Sequence, residues 1–232
     1  MAEETVRLVD LVGNAIRGVP TARTLDSGTI PVLSIADLRS GRAPRSFVEP
    51  EDLQDLGAMV AEPNDVLISI EGGTVGECLA VDDTRVTFVP SQQVATVRVG
   101  GDALVDPWYL AAWLGSEEGE LAVKMLARGA AIQRIAIRDL ESLQVKVLPL
   151  DEQRHIGKMY QAFQRSIQSH RDAIIDLEML LPIEVNQAIR HGSTPSTSGT
   201  NTGVAEKVNG EYPSQRLRRK RRERDASGEV GR

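Results

Sequence analysis

The feature that most constrains this chain is a change in hydrophobic period at Pro149. Before the proline, Val145 and Val147 alternate with polar residues, as in a β-strand. After it, Asp151 and Glu152 place negative charge where a helix N-terminus carries a partial positive charge. Leu148 is biased toward extended geometry because a proline follows it. The sequence therefore predicts a joint between a β-rich globular region and a helix.

The predicted helix runs from Asp151 to about Arg190 and has one apolar stripe. Its members recur at close to 3.6 residues, the period of a helix that packs along one seam. They are Ile156, Met159, Phe163, Ile167, Ile174, Leu177 and Leu181. A helix of about 30 residues is roughly 45 Å long, more than a small domain can cover. The stripe therefore predicts a helix-seam interface with a partner helix.

The region before Pro149 is predicted to be α+β with β predominant. Short strands are expected at residues 30–35, 66–70, 78–81, 86–89 and 94–99, and residues 132–137 are expected to resume a strand-like pattern. Helices are expected after Asp106, an N-cap followed by Pro107, and between Ser116 and Gly129. The predicted domains are a globular domain at 1–149, a spacer or dimerisation helix at 150–190 and a tail at 191–232.

Composition narrows the class of protein. Apolar residues make up 41% of the 232 residues, enough for a packed core. Cys78 is the single cysteine, so an intrachain disulfide is excluded and a reducing compartment is favoured. No segment resembles a signal peptide, and no apolar run approaches the ~18–20 residues that span a bilayer. We therefore expect a cytoplasmic protein.

The net charge of −6 is unevenly distributed. Residues 1–190 carry a net charge of −10 and residues 191–232 a net charge of +4. An acidic body argues against a protein that coats DNA unaided, because phosphate attraction supplies non-specific affinity. The tail is rich in Ser, Thr, Gly and Pro and then basic, a composition that predicts disorder. It is either a tether for nucleic acid or phosphate, or a solvated segment.

Arginines cluster in three predicted loops. The groups are Arg17 and Arg23; Arg39, Arg42 and Arg45; and Arg128, Arg134 and Arg138. Arginine suits bidentate contact with phosphate or guanine, and glutamine amides suit adenine. Each residue alone could equally be a solvated surface charge. The predicted DNA-binding residues are Arg17, Arg23, Arg42, Arg45, Gln92, Gln93, Arg128, Gln133 and Arg134.

The sequence gives little support to an enzyme. The segment 106–109 (Asp-Pro-Trp-Tyr) departs from the amino-methyltransferase motif at its third position, and helix capping explains it. The glycines at 72, 73 and 76 are not followed by Lys-Ser/Thr, so a turn is the simpler interpretation. His155, His170 and His191 lack the spacing of a helical metal clamp. We therefore predict no catalytic and no metal-binding residues.

Taken in order, the segments resemble the DNA specificity subunit of type I restriction-modification systems. The resemblance covers residues 5–190. Its segments are residues 6–11, 28–38, 64–70 with the 72–76 turn, 90–94, 109–116, 129–135, 140–149 and Glu152-Gln153 with the long helix. Each segment alone is a loose motif, whereas their order and spacing are specific.

The resemblance implies a non-catalytic subunit that reads double-stranded DNA. In that family the globular target-recognition domain reads part of a split site, and the helix sets the spacing between half-sites. It also implies a partner adenine methyltransferase that binds S-adenosylmethionine, a separate restriction translocase in many complexes, and a role in phage defence. No cofactor is expected on this chain itself.

The chain departs from the family pattern in length, since a usual specificity subunit carries two recognition domains and two helices. We therefore expect a half-subunit that forms a homodimer or pairs with another half-subunit. Two alternatives stay open: a protein-interaction module with an oligomerising helix and no DNA readout, and a stand-alone methyltransferase or nuclease.

Overall fold

A computed structural model of the protein describes residues 4–40, 44–82, 87–100 and 104–191. Within these ranges the strands are β1 (Glu4–Arg7), β2 (Ile16–Arg17), β3 (Ile30–Leu33), β4 (Phe47–Val48), β5 (Val66–Ser69), β6 (Cys78–Ala80), β7 (Val89–Pro90), β8 (Val94–Val97) and β9 (Gln144–Val147). The helices are α1 (Leu8–Val12), α2 (Ile35–Ser40), α3 (Leu53–Leu56), α4 (Pro107–Leu114), α5 (Glu117–Leu126), α6 (Ile137–Glu141) and α7 (Leu150–His191). The predicted tail beyond His191 lies outside the described residues. The predicted fold class is confirmed: a mixed α+β region with β-sheets, followed by one long helix.

The strands form three small sheets. The largest has the order β2-β8-β5-β6 and is antiparallel throughout. A second has the order β4-β3-β7, in which β3 pairs with β4 antiparallel and with β7 in parallel. The third pairs β1 with β9, so that Val6 lies opposite Val145. β1 is thus hydrogen-bonded to β9, the strand that precedes α7.

β5 lies between two apolar clusters, which explains why its first three residues are all apolar. Val66 and Ile68 pack in a large cluster with α4, whereas Leu67 packs in a second cluster with Phe88. Successive residues of a strand point to opposite faces, so burial of both faces favours apolar side chains at successive positions. A third cluster, around Val48, lies at the β3–β4 sheet.

Two predicted helix starts are confirmed by their capping geometry. Oδ1 of Asp106 accepts hydrogen bonds from the backbone N–H of Trp108 and of Tyr109, both at 2.9 Å. Oγ of Ser116 accepts one from Gly119 at 3.2 Å. These bonds satisfy N–H groups that a helix leaves without an intrahelical partner.

Two strand predictions were wrong in part. Residues 30–35 begin as β3, but the chain enters α2 at Ile35 because Ser34 and Asp37 cap each other: Oδ2 of Asp37 accepts from Ser34 N–H at 2.9 Å. Residues 132–137 form no regular strand, and Ile137 instead starts α6. Part of the predicted strand at 86–89 lies outside the described residues, and β7 begins at Val89.

The joint at Pro149 centres on the side chain of Gln153, which is 1% exposed. Its Oε1 accepts from the backbone N–H of Asp106 at 2.8 Å. Its Nε2 donates to the carbonyl oxygens of Leu104 and Leu148 at 3.1 and 2.8 Å. The amide therefore connects the start of α7 to the start of α4 and to the end of the β9 segment.

One turn later, Gly157 lies where α7 meets the N-terminus of α4. A Cβ atom at this position would lie 2.5 Å from Oδ1 of Asp106 and 3.1 Å from the backbone nitrogen of Tyr109. Only glycine permits this approach without a shift of one element. Farther along α7, Arg165 donates to both carboxylate oxygens of the buried Asp82, at 2.7 and 3.0 Å.

The first part of α7 is packed with the globular body. The chain divides into a compact unit that ends at Gln168 and a second unit that begins at Ser169. The first unit therefore extends beyond the predicted domain boundary at residue 149. In the second unit, α7 continues to His191 and includes Pro182, which has no backbone N–H to donate.

We expect the Cys78 thiol to be inert in the folded protein. It is buried beside α4, where Sγ donates to the carbonyl oxygen of Ala111 at 3.3 Å, and burial raises its pKa to about 12. A thiol-specific reagent at pH 8 should therefore react with Cys78 far more slowly in native protein than in denaturant. Equal rates would contradict this.

The raised pKa of Cys78 also predicts that the protein loses stability at high pH. The folded pKa of Cys78 lies above the ordinary value of 9.0, so the stability contributed by the neutral thiol is present below pH 9 and is lost as the pH rises toward 12. Tyr160, whose pKa is also raised to about 12 by burial, acts in the same direction. Urea denaturation at pH 8 and pH 10.5 would measure this loss.

Candidate nucleic-acid and helix interfaces

Glu71 is the centre of the main polar site in the described residues. It follows β5 and Ile70, directly before a glycine turn, and is 8% exposed. Its Oε2 lies 2.7 Å from Nη2 of Arg17, and its Oε1 lies 2.7 Å from Nη2 of Arg134. One buried carboxylate thus joins two arginines that are distant in sequence.

Arg17 connects this carboxylate to the loop after β7. Its Nε donates to the carbonyl oxygen of Gln92 at 2.9 Å. The side-chain Oε1 of Gln92 in turn accepts from the backbone N–H of Thr21 at 3.2 Å. The carbonyl of Gln93 accepts from Ile70 N–H at 2.8 Å. The first basic loop and the glutamine pair are therefore held at one end of the β2-β8-β5-β6 sheet.

Arg134 belongs to a tight loop that spans residues 128–134. Backbone bonds between Arg128 and Arg134 run in both directions, at 2.9 and 2.8 Å, and Gly129 makes the turn with φ = 109°. The carbonyl of Gln133 accepts from Gly72 N–H at 3.0 Å, which fixes the loop to the glycine turn. The tip of the loop presents Ile132, which is 56% exposed.

We call Arg17, Gln92, Gln93, Arg128, Gln133, Arg134 and the central Glu71 the Glu71 cluster. Six of the nine predicted DNA-binding residues belong to it, drawn from three segments of the chain. Arg128 joins through its backbone, while its guanidinium lies 3.4 Å from Asp139 of α6. The structure thus brings these six predicted residues together, and their DNA-binding role stays a prediction.

The remaining predicted residues lie elsewhere. Arg23 ends a short 3-10 turn (Thr21–Arg23) and Arg45 precedes β4; both are exposed, and no bond within the described chain links them to the Glu71 cluster. Leu25 pairs with Phe47, so these two arginines flank one small antiparallel bridge. Arg42 lies outside the described residues.

Other arginines have structural roles that the sequence did not reveal. Arg39, which we grouped with the basic loops, instead pairs with Glu77 and donates to the carbonyl of Cys78 at 3.2 Å. Arg98 pairs with the buried Asp65 at 2.8 Å, and this hydrogen bond raises the pKa of its guanidinium. These arginines hold elements of the body together.

A small polar cleft adjoins the cluster on the side of Gln93. Its volume is about 140 Å³, and its walls include Thr21, Ser34, Asp37 and Ser91 besides Gln93. Hydroxyls and an amide can donate to phosphate oxygens and base edges, and a carboxylate can accept from base N–H groups. Among the described residues, no group of three or more His, Cys, Asp or Glu side chains could hold a metal ion.

The predicted helix seam is exposed for most of its length. In the first unit Met159, Phe163 and Ile167 are exposed, whereas Ile156 packs partly against the main core with Tyr160. In the second unit Ile174, Leu177 and Leu181 are 54%, 66% and 65% exposed. Apolar side chains at helical spacing in each unit leave a surface suited to another helix.

The family model for the type I restriction modification DNA specificity domain matches residues 4–179, more than half of the chain. The chain belongs to this family. The match includes the whole Glu71 cluster and the first part of α7. It thereby confirms the family expected from the sequence.

Solved structures show the same fold. One comes from work on complex assembly and conformational transition of the type I R-M system; it is 24% identical, has a TM-score of 0.50, and the match covers 80% of this chain and 44% of that chain. Another is the type I restriction-modification S subunit from M. genitalium, 18% identical, with a TM-score of 0.57 and coverage of 81% and 46%. This specificity-domain chain therefore spans less than half the length of either.

No curated protein matches the sequence. Among the described residues of this specificity-domain chain, no helix has both the length and the apolar content needed to cross a membrane.

Sequence reasoning missed Glu71, the residue that organises the site. The available signal was a single carboxylate between the apolar run of β5 and the glycines at 72 and 73. A charge at the end of a buried strand usually has a partner. Its two partners lie 54 and 63 residues away in the sequence, so local patterns could not identify them.

Proposed function

We propose that this chain is the sequence-specific DNA-binding subunit of a type I-like restriction-modification or related defence complex. The supporting observation is the Glu71 cluster, where two arginines and the glutamine-bearing loops meet at one end of the β2-β8-β5-β6 sheet in a member of the specificity-domain family. Arginine and glutamine have the donors and acceptors that read guanine and adenine in the major groove.

The chain itself would catalyse nothing. A partner adenine methyltransferase would carry S-adenosylmethionine and the reaction, and some complexes would add a restriction translocase. The specificity chain would direct these subunits to their site in the cytoplasm. The acidic charge of residues 1–190 is compatible with this division, because partner subunits can supply phosphate contacts.

The exposed stripe of α7 would pair with the same stripe on a second copy of this chain. A symmetric pair places two recognition surfaces on one complex and predicts an inverted-repeat DNA site. Pairing with a different specificity chain would instead give two unlike half-sites. The mass of the purified complex distinguishes these arrangements.

The direct test is affinity purification of the tagged full chain, followed by footprinting of the assembled complex on DNA. We expect a methyltransferase-type protein to co-purify and a defined DNA segment to be protected. A complex that contains no such partner and protects no preferred sequence would overturn the proposal. Self-association of α7 without any DNA preference would favour a protein-interaction module instead.

We expect Arg134→Ala to weaken binding to the specific site by about 1–3 kcal/mol if Arg134 contacts a base. Because the substitution also removes one of the two partners of the buried Glu71, circular dichroism should first establish that the variant is folded. Arg7→Ala is the matched control, because it removes the same charge at a position outside the Glu71 cluster. Arg7 lies on β1 and forms an exposed pair with Asp10 of α1. Equal affinities for Arg134→Ala and wild type in a filter-binding titration would remove Arg134 from the site.

A further inference from the structure

Glu71 holds the side chains of two arginines through one carboxylate. Its carboxylate is buried, and each of its two oxygens accepts from a different guanidinium at 2.7 Å. A buried charge is tolerated only when it is paired, so loss of either arginine contact would be costly. The two arginines are therefore held in place by a group that does not itself reach the surface.

Both arginines retain unused hydrogen-bonding capacity. Arg17 is 49% and Arg134 is 62% exposed. Within the described part of the chain, Arg17 donates through Nε and Nη2, and Arg134 through Nη2 alone. Since a guanidinium has five N–H donors, each arginine can still donate to another molecule.

A fixed guanidinium and a mobile one act differently on DNA. A mobile one neutralises any nearby phosphate, which adds affinity without sequence information. A fixed one can align two N–H groups with O6 and N7 of guanine and rejects bases that lack this pair of acceptors. The negative charge of Glu71 also opposes the approach of phosphate. Orientation and charge therefore both favour specific over non-specific binding.

We propose that Glu71 is the positioning residue that sets the sequence preference of this chain, by orienting Arg17 and Arg134 toward base edges. This inference rests on the proposed DNA-binding function. It assigns the discrimination between sequences to a residue that need not touch DNA. The alternative is that Glu71 only joins the end of β5 to the 128–134 loop and affects stability alone.

The test compares variants of the full chain in its purified complex, using a library of duplexes with randomised positions. Wild type first gives a preferred duplex, and each variant is then titrated with that duplex and with a scrambled one. For Glu71→Gln we expect tighter binding to the scrambled duplex and a ratio of scrambled to specific Kd that falls by about tenfold. A stability role alone would leave this ratio unchanged.

Glu71→Asp separates charge from position. It keeps the negative charge but shortens the side chain by one methylene, so the ratio should fall without tighter binding to scrambled DNA. Asp65→Asn is the matched control, because it neutralises another buried carboxylate paired with an arginine, Arg98, outside the cluster. We expect it to lower the melting temperature and to preserve the ratio.

The outcomes are distinguishable. A wild-type complex without a preferred duplex overturns both the proposed function and this inference. A wild-type preference that Glu71→Gln or Glu71→Asp retains in full overturns this inference alone. If neither variant yields a folded chain while Asp65→Asn does, Glu71 has a structural role and the inference is likewise overturned.

Discussion

Replacement of Gln153 by alanine is expected to lower the free energy of unfolding by about 2–4 kcal/mol. The substitution removes three hydrogen bonds from a side chain that is 1% exposed. It leaves the N–H of Asp106 and the carbonyls of Leu104 and Leu148 without the partner they have in the wild type. It also leaves a cavity where the amide was, which adds to the cost.

The expected loss should appear as a lower urea midpoint with an unchanged slope, followed by circular dichroism. Gln144→Ala is the matched control, because Gln144 is an exposed glutamine on β9 and its truncation should change stability by at most about 0.5 kcal/mol. Equal midpoints for Gln153→Ala and Gln144→Ala would show that the buried amide does not fix the joint between the globular body and α7.

The joint shows which parts of this fold can be predicted from sequence. Local signals succeed where one short segment contains both groups that interact. Asp106 caps α4 two and three residues ahead, and the apolar period after Pro149 predicts α7 to within a residue of its end at His191. α7 continues through Pro182, although this residue cannot donate a backbone hydrogen bond.

The same reasoning fails for interactions between distant segments. The sequence places Gln153 near a helix start but gives no sign that its amide is buried against Leu104. It places Arg39 among basic loop residues, whereas a contact with Glu77 gives it a structural role. Ile156 counts as part of the seam by period, yet it packs partly against the core because the first turns of α7 lie on the body. In all three cases, packing between segments distant in sequence determines what the side chain contacts.

For the Glu71 cluster, the sequence predicts most of the residues but not their convergence. Residue type and loop position predicted six of its members, because arginine and glutamine suit DNA contact. Their convergence required the topology: β8 pairs with both β2 and β5, which brings Arg17 and the end of β5 to one place. A sequence pattern can thus identify candidate arginine and glutamine donors, whereas only the sheet order shows that one carboxylate joins the two arginines.

Leu177→Glu is expected to have the largest effect on assembly. Leu177 is 66% exposed and lies on the same helix face as Ile174 and Leu181, so its substitution should leave the fold intact. In a paired helix seam the new carboxylate would be buried without a partner, which raises the dissociation constant by roughly 30-fold or more. Sedimentation velocity over a concentration series measures this change.

Asn186→Glu is the matched control for that experiment. It adds the same charge to an exposed position nine residues farther along α7, about 180° around the helix from Leu177. If both variants associate as tightly as wild type, the stripe is not the pairing surface. If Leu177→Glu alone becomes monomeric and its complex also loses affinity for the preferred duplex, pairing is required to place two recognition surfaces on one DNA site, since no residue of the Glu71 cluster has changed.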